Sequence, residues 1–130
     1  IVVTEDFGPS KDEKVYRSKG YNIFNDNLKF VILVDKGSAS ASEILAGALA
    51  EHGKAILVGD KTFGKGSVQE LVDITSDTSL KITVARWLTP KGQSISESGI
   101  EPHHLIKYTP ADREAGRDPQ LNKAIEILNK

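Results

Sequence analysis

Continuous apolar runs alternate along the chain with apolar residues spaced three and four apart, and together these patterns predict a mixed α/β fold. Residues 30–34 (FVILV) form a continuous apolar run rich in β-branched side chains, which is typical of a strand buried on both faces. We expect this strand at the centre of a sheet. Apolar residues then recur three and four apart between 44 and 49, as in an amphipathic helix, and Gly53 is suited to end that helix. Residues 55–58 (AILV) are a second short strand, so residues 30–59 predict a strand–helix–strand unit with parallel strands.

The remaining segments predict antiparallel strands and a C-terminal helix. Residues 1–4 are strand-like, and residues 15–17 are expected to pair back with them after a polar turn. Residues 68–74 and 80–87 predict a second antiparallel pair, because the five residues between them favour a turn. Apolar residues at helical spacing follow Asp118, which marks a final helix.

Composition indicates one globular domain, 1–130, without a nucleic acid partner. The 130 residues are 38% apolar and 27% charged, and the formal net charge of −1 leaves no broad basic field for a nucleic acid or an anionic membrane. The absence of cysteine excludes disulfides, thiolate catalysis and cysteine-ligated zinc. The chain opens at Ile1 without a signal peptide or an apolar run near the roughly 18 residues that span a bilayer. We therefore expect a mature product or an excised fragment.

The first candidate site is the junction between the buried strand and the helix, residues 37–44 (GSASASEI). At such a junction a side chain projects beyond the sheet edge, and the free amides of the helix N-terminus face an anion. That arrangement suits an oxyanion hole, and Ser38, Ser40 and Ser42 are candidate nucleophiles that spacing alone does not separate. A serine nucleophile also requires a neighbouring base.

A structural explanation competes at the same place. Ser40 and Glu43 have the spacing of a capping box, in which the serine satisfies a helix amide and has no catalytic role.

The second candidate site is the glycine-rich segment 59–69 (GDKTFGKGSVQ). Lys65 lies between two glycines, which allow close backbone approach and unusual dihedral angles. A buried lysine loses its proton more easily and can act as a general base, and Gln69 could orient its amine. A regular strand would hold these two side chains about 13 Å apart, so the pair needs a helical turn or a distortion. The alternative is a surface lysine in a mobile loop.

Two other chemistries fit less well. Residues 59–65 match the first part of a phosphate-binding loop, but Gly66 stands where Ser or Thr must hold magnesium, and a strand follows in place of a long helix. His52 and the pair His103 and His104, which we place in a loop, have no close acid cluster to complete a metal site. We expect no metal and no cofactor.

Three motifs together resemble the carboxy-terminal processing peptidases, also called tail-specific proteases. They are residues 37–44, residues 62–66 (TFGKG) with Gln69, and residues 83–90 (TVARWLTP). The resemblance continues through residues 92–102 to the C-terminal helix and is loose over the first 25 residues.

The resemblance implies that Ser40 is the nucleophile, Lys65 the general base and Gln69 the residue that hydrogen-bonds the lysine. It also implies that the amide of Ala41 contributes to the oxyanion hole. The fold would be an α/β arrangement similar to crotonase and Clp protease. The substrates would be polypeptides recognised by their C-terminal region and cleaved through an acyl-enzyme, in the bacterial envelope outside the cytoplasmic membrane.

The chain also departs from that family. An Asn-Pro-Gly-Gly-like turn that supplies the other oxyanion donor and a PDZ domain that grips the substrate are missing, so we expect the chain alone to hydrolyse peptides poorly or not at all. Asp35 stands where the family often has Asn, and His103 and His104 replace a commoner acidic or aliphatic stretch; we expect these changes to be peripheral.

The alternatives are a non-catalytic binding domain on the same fold and acyl-CoA chemistry on the related crotonase fold. The sequence leaves the oligomeric state open.

Overall fold

The chain is a mixed α/β protein with two sheets, as the sequence predicts. A computed structural model describes residues 1–9, 11–21, 27–96 and 98–130. In chain order the elements are β1 (Val3–Asp6), β2 (Lys14–Tyr16), β3 (Val31–Val34), α1 (Ala41–Glu51), β4 (Ile56–Gly59), β5 (Ser67–Asp73), β6 (Ser79–Leu88), β7 (His104–Leu105), α2 (Pro110–Glu114) and α3 (Pro119–Leu128).

The first sheet is antiparallel, with the strand order β2-β1-β6-β5. The predicted hairpin between β1 and β2 and the predicted pairing of β5 with β6 are both confirmed. The first strand, expected at residues 1–4, begins two residues later because its register places Thr4 opposite Leu88 of β6. A register shift interrupts the β5–β6 ladder between Val68 and Gln69.

The second sheet is parallel, with the order β3-β4-β7, and it contains the predicted strand–helix–strand unit. β3 and β4 pair in parallel, Val31 lying opposite Ile56. The prediction that β3 is central and buried on both faces is wrong, because β4 occupies the centre and Leu33 of β3 is 43% exposed. The reason is that β7, which the sequence does not reveal, pairs with β4 from the other side.

Small residues bring α1 close to the parallel sheet. Val34, Ala46 and Leu57 form the core cluster that joins β3, α1 and β4. The buried face of α1 centres on 46–48 (AGA), whereas Leu45, expected on that face, is 58% exposed. Short side chains reduce the distance between helix and sheet, and a larger residue at 45 is then turned outward.

The C-terminal helix begins as predicted, with Asp118 as its N-cap accepting a hydrogen bond from the Leu121 amide at 2.9 Å. α3 packs on β3 and β4. The short α2 before it was not predicted; Thr109 and Asp112 form its capping box. Within the described residues, no helix is both long and apolar enough to cross a bilayer.

Candidate functional site

Ser40 occupies a strained backbone position between β3 and α1. Its φ is 57° and its ψ is −115°, and it is the one non-glycine residue with positive φ in the described ranges. Such a conformation costs a residue with a Cβ about 1–3 kcal/mol and persists only where the surroundings impose it. Strain of this kind places a serine on a sharp strand-to-helix turn, where its hydroxyl is exposed.

The turn that leads to Ser40 is held by Asp35. Its Oδ1 accepts hydrogen bonds from the amides of Gly37, at 2.9 Å, and Ser38, at 3.1 Å. Both bonds end on a single oxygen that asparagine also possesses, so the exchange of Asn for Asp at this position preserves the turn. Asp35 therefore shapes the approach to Ser40, while the exchange itself is peripheral to these two bonds, as expected.

The capping box that the sequence predicts for Ser40 and Glu43 is present. The Ser40 amide donates to Oε2 of Glu43 at 2.9 Å. The Ser40 side chain lies close enough to the Glu43 amide to complete the box, but no hydrogen bond of normal geometry joins its hydroxyl to a helix amide. The Glu43 amide donates to the Ser40 carbonyl, at 3.0 Å. Ser40 therefore caps α1 through its amide, and its exposed hydroxyl lies near the Glu43 amide without a cap hydrogen bond of normal geometry.

The carboxylate of Glu43 is the main connection between the two candidate segments. Glu43 is 0% exposed. Its Oε1 accepts hydrogen bonds from the Thr62 hydroxyl, at 2.5 Å, and the Gly64 amide, at 2.7 Å. Its Oε2 accepts from the amides of Ser40 and Lys65, each at 2.9 Å. Four donors fill the acceptor sites of a buried carboxylate, which fixes the lysine loop against the start of α1.

Both glycines around Lys65 are required by the backbone, as the sequence predicts. Gly64 has a φ of 87°. A Cβ on Gly66 would collide with the backbone nitrogen of Ser96. The amide of Phe63 donates to the Ser38 carbonyl at 2.9 Å, so the loop is also tied to the turn before Ser40.

The structure therefore brings the backbones of Ser40 and Lys65 together. Their amide nitrogens both donate to Oε2 of Glu43, each at 2.9 Å. The two nitrogens are therefore no farther apart than the sum of these two hydrogen-bond lengths. Both side chains are exposed, so the burial expected for Lys65 is not provided by the described residues. Among those residues neither the Lys65 ammonium nor the Gln69 amide group makes a hydrogen bond or an ion pair.

Gln69 lies in β5, at the register shift. The residue inserted at this shift is Val84 of β6, so β5 itself has no bulge that would shorten the separation of Lys65 and Gln69. Ala41 begins α1, so its amide belongs to the first turn, whose N–H groups have no acceptor inside the helix.

Two of the histidines make contacts to backbone groups. His103 accepts a hydrogen bond from the Leu57 amide on its Nδ1, at 2.9 Å. His52 follows α1, and its Nε2 lies 2.6 Å from the Ile1 carbonyl oxygen. The described part of the chain contains no group of three His, Asp or Glu side chains that could hold a metal ion.

The serine site is an open surface. A cavity of about 470 Å³ lies elsewhere, at the starts of β3 and β4, and its lining includes Phe30 and Ile56. Ser40 follows the opposite end of β3, so this cavity is separate from the candidate chemistry.

Comparison with known proteins assigns this chain to a family of peptidases. The family model described as peptidase family S41 matches residues 1–106. The carboxy-terminal processing protease CtpB of Bacillus subtilis (strain 168) is 54% identical over 76 residues, which cover 58% of this chain and 16% of that protein. The chloroplastic carboxyl-terminal-processing peptidase 2 of Arabidopsis thaliana is 41% identical over 102 residues, covering 78% of this chain and 20% of the relative. The chain belongs to peptidase family S41.

Solved structures agree with this assignment. The photosystem II D1 C-terminal processing protease is 41% identical with a TM-score of 0.60, over 62% of this chain and 21% of that one. The tricorn protease, at 24% identity and a TM-score of 0.67, shares the fold over 77% of this chain and 10% of its own. The chain thus spans about a fifth or less of the length of these relatives.

Proposed function

We propose that this chain carries the nucleophile and base of a serine endopeptidase. Ser40 attacks the peptide carbonyl, and Lys65 accepts its proton and later returns it to the leaving amine. Gln69 orients the lysine amine, and the Ala41 amide donates to the oxyanion. The product of the first step is an acyl-enzyme on Ser40, which water then hydrolyses. The residues proposed for this chemistry need no cofactor.

The observation that carries this proposal is the shared Glu43 carboxylate. One buried side chain holds the amide of strained Ser40 and the amide of Lys65 on the same oxygen. A serine that serves only as a cap has no need of a positive φ or of a fixed lysine beside it. The exposed Ser40 hydroxyl and the first-turn amide of Ala41 would supply the nucleophile and one oxyanion donor.

Lys65 must be neutral to act as a base, and its side chain is exposed among the described residues. We therefore propose that desolvation of Lys65 comes from groups that cover the site during catalysis, such as bound substrate or polypeptide beyond the described residues. Removal from water favours the neutral amine. In that covered state the Lys65 side chain turns toward Ser40 and Gln69.

The relatives support a proposal for the substrate class and the place of action. The relatives named above are carboxy-terminal processing peptidases of bacterial and chloroplast origin. We propose that this protein also cleaves polypeptides after recognition of their C-terminal region, and that it works in the bacterial envelope.

A serine-directed acylating probe tests nucleophile and base together. The probe is applied to this chain and to the complete product of its gene, each compared with Ser40→Ala and Lys65→Ala. Ser38→Ala and Lys61→Ala are matched controls, because they change a neighbouring serine and a lysine in the same loop region. We expect labelling to disappear in the Ser40 and Lys65 variants and to persist in both controls.

Two results would contradict this assignment. Labelling that survives Ser40→Ala places the nucleophile elsewhere. Absence of labelling in both proteins, with circular dichroism showing them folded, favours a non-catalytic binding domain. A thioester substrate that is hydrolysed in preference to peptides would indicate acyl-CoA chemistry on the related fold.

A further inference from the structure

The strand that follows Lys65 has an open edge. β5 begins two residues after Lys65 and pairs with β6 on one side; across the described residues no strand pairs with its other side. Residues 69–73 are exposed throughout. An unpaired edge presents backbone donors and acceptors to any extended chain that approaches it.

The register shows which backbone groups point to that edge. The Ile74 amide donates to the Thr78 carbonyl, which makes this a hydrogen-bonded pair of the ladder. Bonded and non-bonded pairs alternate along an antiparallel ladder, so the pairs of Asp73, Leu71 and Gln69 are non-bonded ones. The N–H and C=O groups of these residues therefore point away from β6.

The opposite end of β5 continues the pattern. The Trp87 amide donates to the Gly66 carbonyl at 2.7 Å, so Ser67 also directs its backbone groups outward. The extra residue at the register shift is Val84 of β6, because Val68 pairs with Ala85 and Gln69 with Thr83. β5 itself is therefore regular along its length and can support a continuous ladder.

Natural edge strands are often protected against pairing by lysine or proline, and β5, residues 67–73 (SVQELVD), has neither. The outer strand on the other side of the same sheet, β2, does carry Lys14. Residues 67–79 carry three carboxylates, those of Glu70, Asp73 and Asp77, and no basic side chain.

We propose that the open edge of β5 binds an extended segment of the polypeptide substrate as an added β-strand, with basic substrate residues opposite its carboxylates. The proposal rests on the proposed function, because the strand leads directly to Lys65. An extended chain advances about 3.3 Å per residue, so a strand bound along β5 passes Lys65 within about two residues of its first contact. Main-chain bonding of this kind binds many sequences in one register, which suits a peptidase that must hold a backbone straight at the scissile bond.

Amide hydrogen exchange, followed by NMR, tests this edge residue by residue. The chain carrying Ser40→Ala, which prevents turnover, is titrated with a ten-residue peptide of alternating apolar and polar residues that has lysines at both ends. At a peptide concentration about ten times the dissociation constant, exchange should slow about tenfold at the amides of Gln69, Leu71 and Asp73. The amides of Glu70 and Val72, already bonded to β6, are internal controls and should change less than about twofold.

Two N-methylated peptides provide the matched comparison. One carries N-methyl groups on its odd residues and the other on its even residues, so that only one of them loses the N–H groups that face β5. We expect their affinities to differ by at least about tenfold, because several hydrogen bonds are lost together. Equal affinities, or protection that does not alternate, would show that the peptide binds the hairpin face and would overturn the proposal.

A second copy of the chain is the other possible occupant. Protection of Gln69, Leu71 and Asp73 without peptide, rising with chain concentration, would assign the edge to self-association and also overturn the proposal. The outcome is separable from that of the acylation experiment. Alternating protection with no acylation of Ser40 would reject the catalytic assignment and retain the edge site. Acylation of Ser40 without alternating protection would retain the catalytic assignment and reject the edge site.

Discussion

At position 43 the chain buries an acidic side chain completely and surrounds it with hydrogen-bond donors. Glu43 receives bonds from the backbone of α1, from Thr62 and from the lysine loop. The sequence reveals this residue only as the second member of a capping box, because local spacing cannot show donors that arrive from residues 62–65. The contact that organises the candidate site is therefore one that only the fold displays.

Removal of the Glu43 carboxylate should be severe. In Glu43→Ala four donors lose their acceptor, and each buried group left unpaired costs about 1–3 kcal/mol, so the free energy of unfolding should fall by at least about 3 kcal/mol. Urea denaturation measures this change. Glu51→Ala is the control, since Glu51 accepts one bond, from the Lys91 amide at an exposed position, and its loss should cost less than about 1 kcal/mol. Equal losses would mean that water replaces the Glu43 contacts.

The strain at Ser40 can be measured without any assay of activity. Glycine adopts a φ of 57° without penalty, whereas alanine keeps the Cβ that makes this conformation costly. We expect Ser40→Gly to be more stable than Ser40→Ala by about 1 kcal/mol, as a difference in the free energy of unfolding in urea. If Ser40→Gly is instead the less stable of the two, the gain in unfolded-state entropy outweighs the relief of strain.

At the scale of elements, a side chain completes the hydrogen bonding of the central strand of the parallel sheet. His103 accepts the bond from the Leu57 amide, just before β7 begins, and the Leu57 side chain is 0% exposed. His103→Ala should lower the free energy of unfolding by about 1–3 kcal/mol and accelerate hydrogen exchange at the Leu57 amide. His104→Ala, one residue further along, should leave that amide protected. Similar exchange rates in the two variants would show that the His103 contact is dispensable.

The last helix contains a carboxylate with a measurable pH response. Hydrogen bonds from Lys130 and Lys123 lower the pKa of Glu126 from 4.5 to about 2. Because the folded-state pKa is the lower one, this contribution to stability is present above pH 4.5 and is lost as the pH falls toward 2. NMR titration of the Glu126 carboxyl carbon should give a midpoint well below 4.5, and Lys130→Gln should raise it. A midpoint that Lys130→Gln leaves unchanged would mean that the pair does not form in solution.

The elements themselves were largely predictable, and the errors share one cause. Strong periodic runs gave α1, α3 and the β5–β6 pair close to their observed bounds. The position of β3 in its sheet was wrong because apolar content reports burial in a complete protein, whereas Leu33 is exposed in this chain. β7 has two residues and no pattern of its own; its pairing with β4 depends on tertiary contact.

At the scale of the whole molecule, exposed apolar side chains border both sheets. Phe30, Leu33 and Leu71 are each more than 40% exposed, and the chain spans about a fifth or less of the length of its relatives. Apolar surface of this kind commonly marks a place of contact with further polypeptide. The Lys65 side chain is exposed in the same way. We have proposed that substrate or further polypeptide covers its amine during catalysis.

Residues 1–130 in isolation should hydrolyse peptides slowly. In the proposed mechanism Ala41 offers one amide to the oxyanion, and loss of one donor from such a site lowers the rate constant kcat by about 10²–10³. An exposed Lys65 adds a second loss, because the described residues do not remove its amine from water as the proposed base requires. We expect kcat/KM for an unfolded protein substrate to be at least about 10³ lower for this chain than for the complete gene product, with Ser40→Ala abolishing both activities. Comparable turnover by the two proteins would mean that residues 1–130 already contain the whole catalytic apparatus, and that a donor other than Ala41 within this chain must be sought.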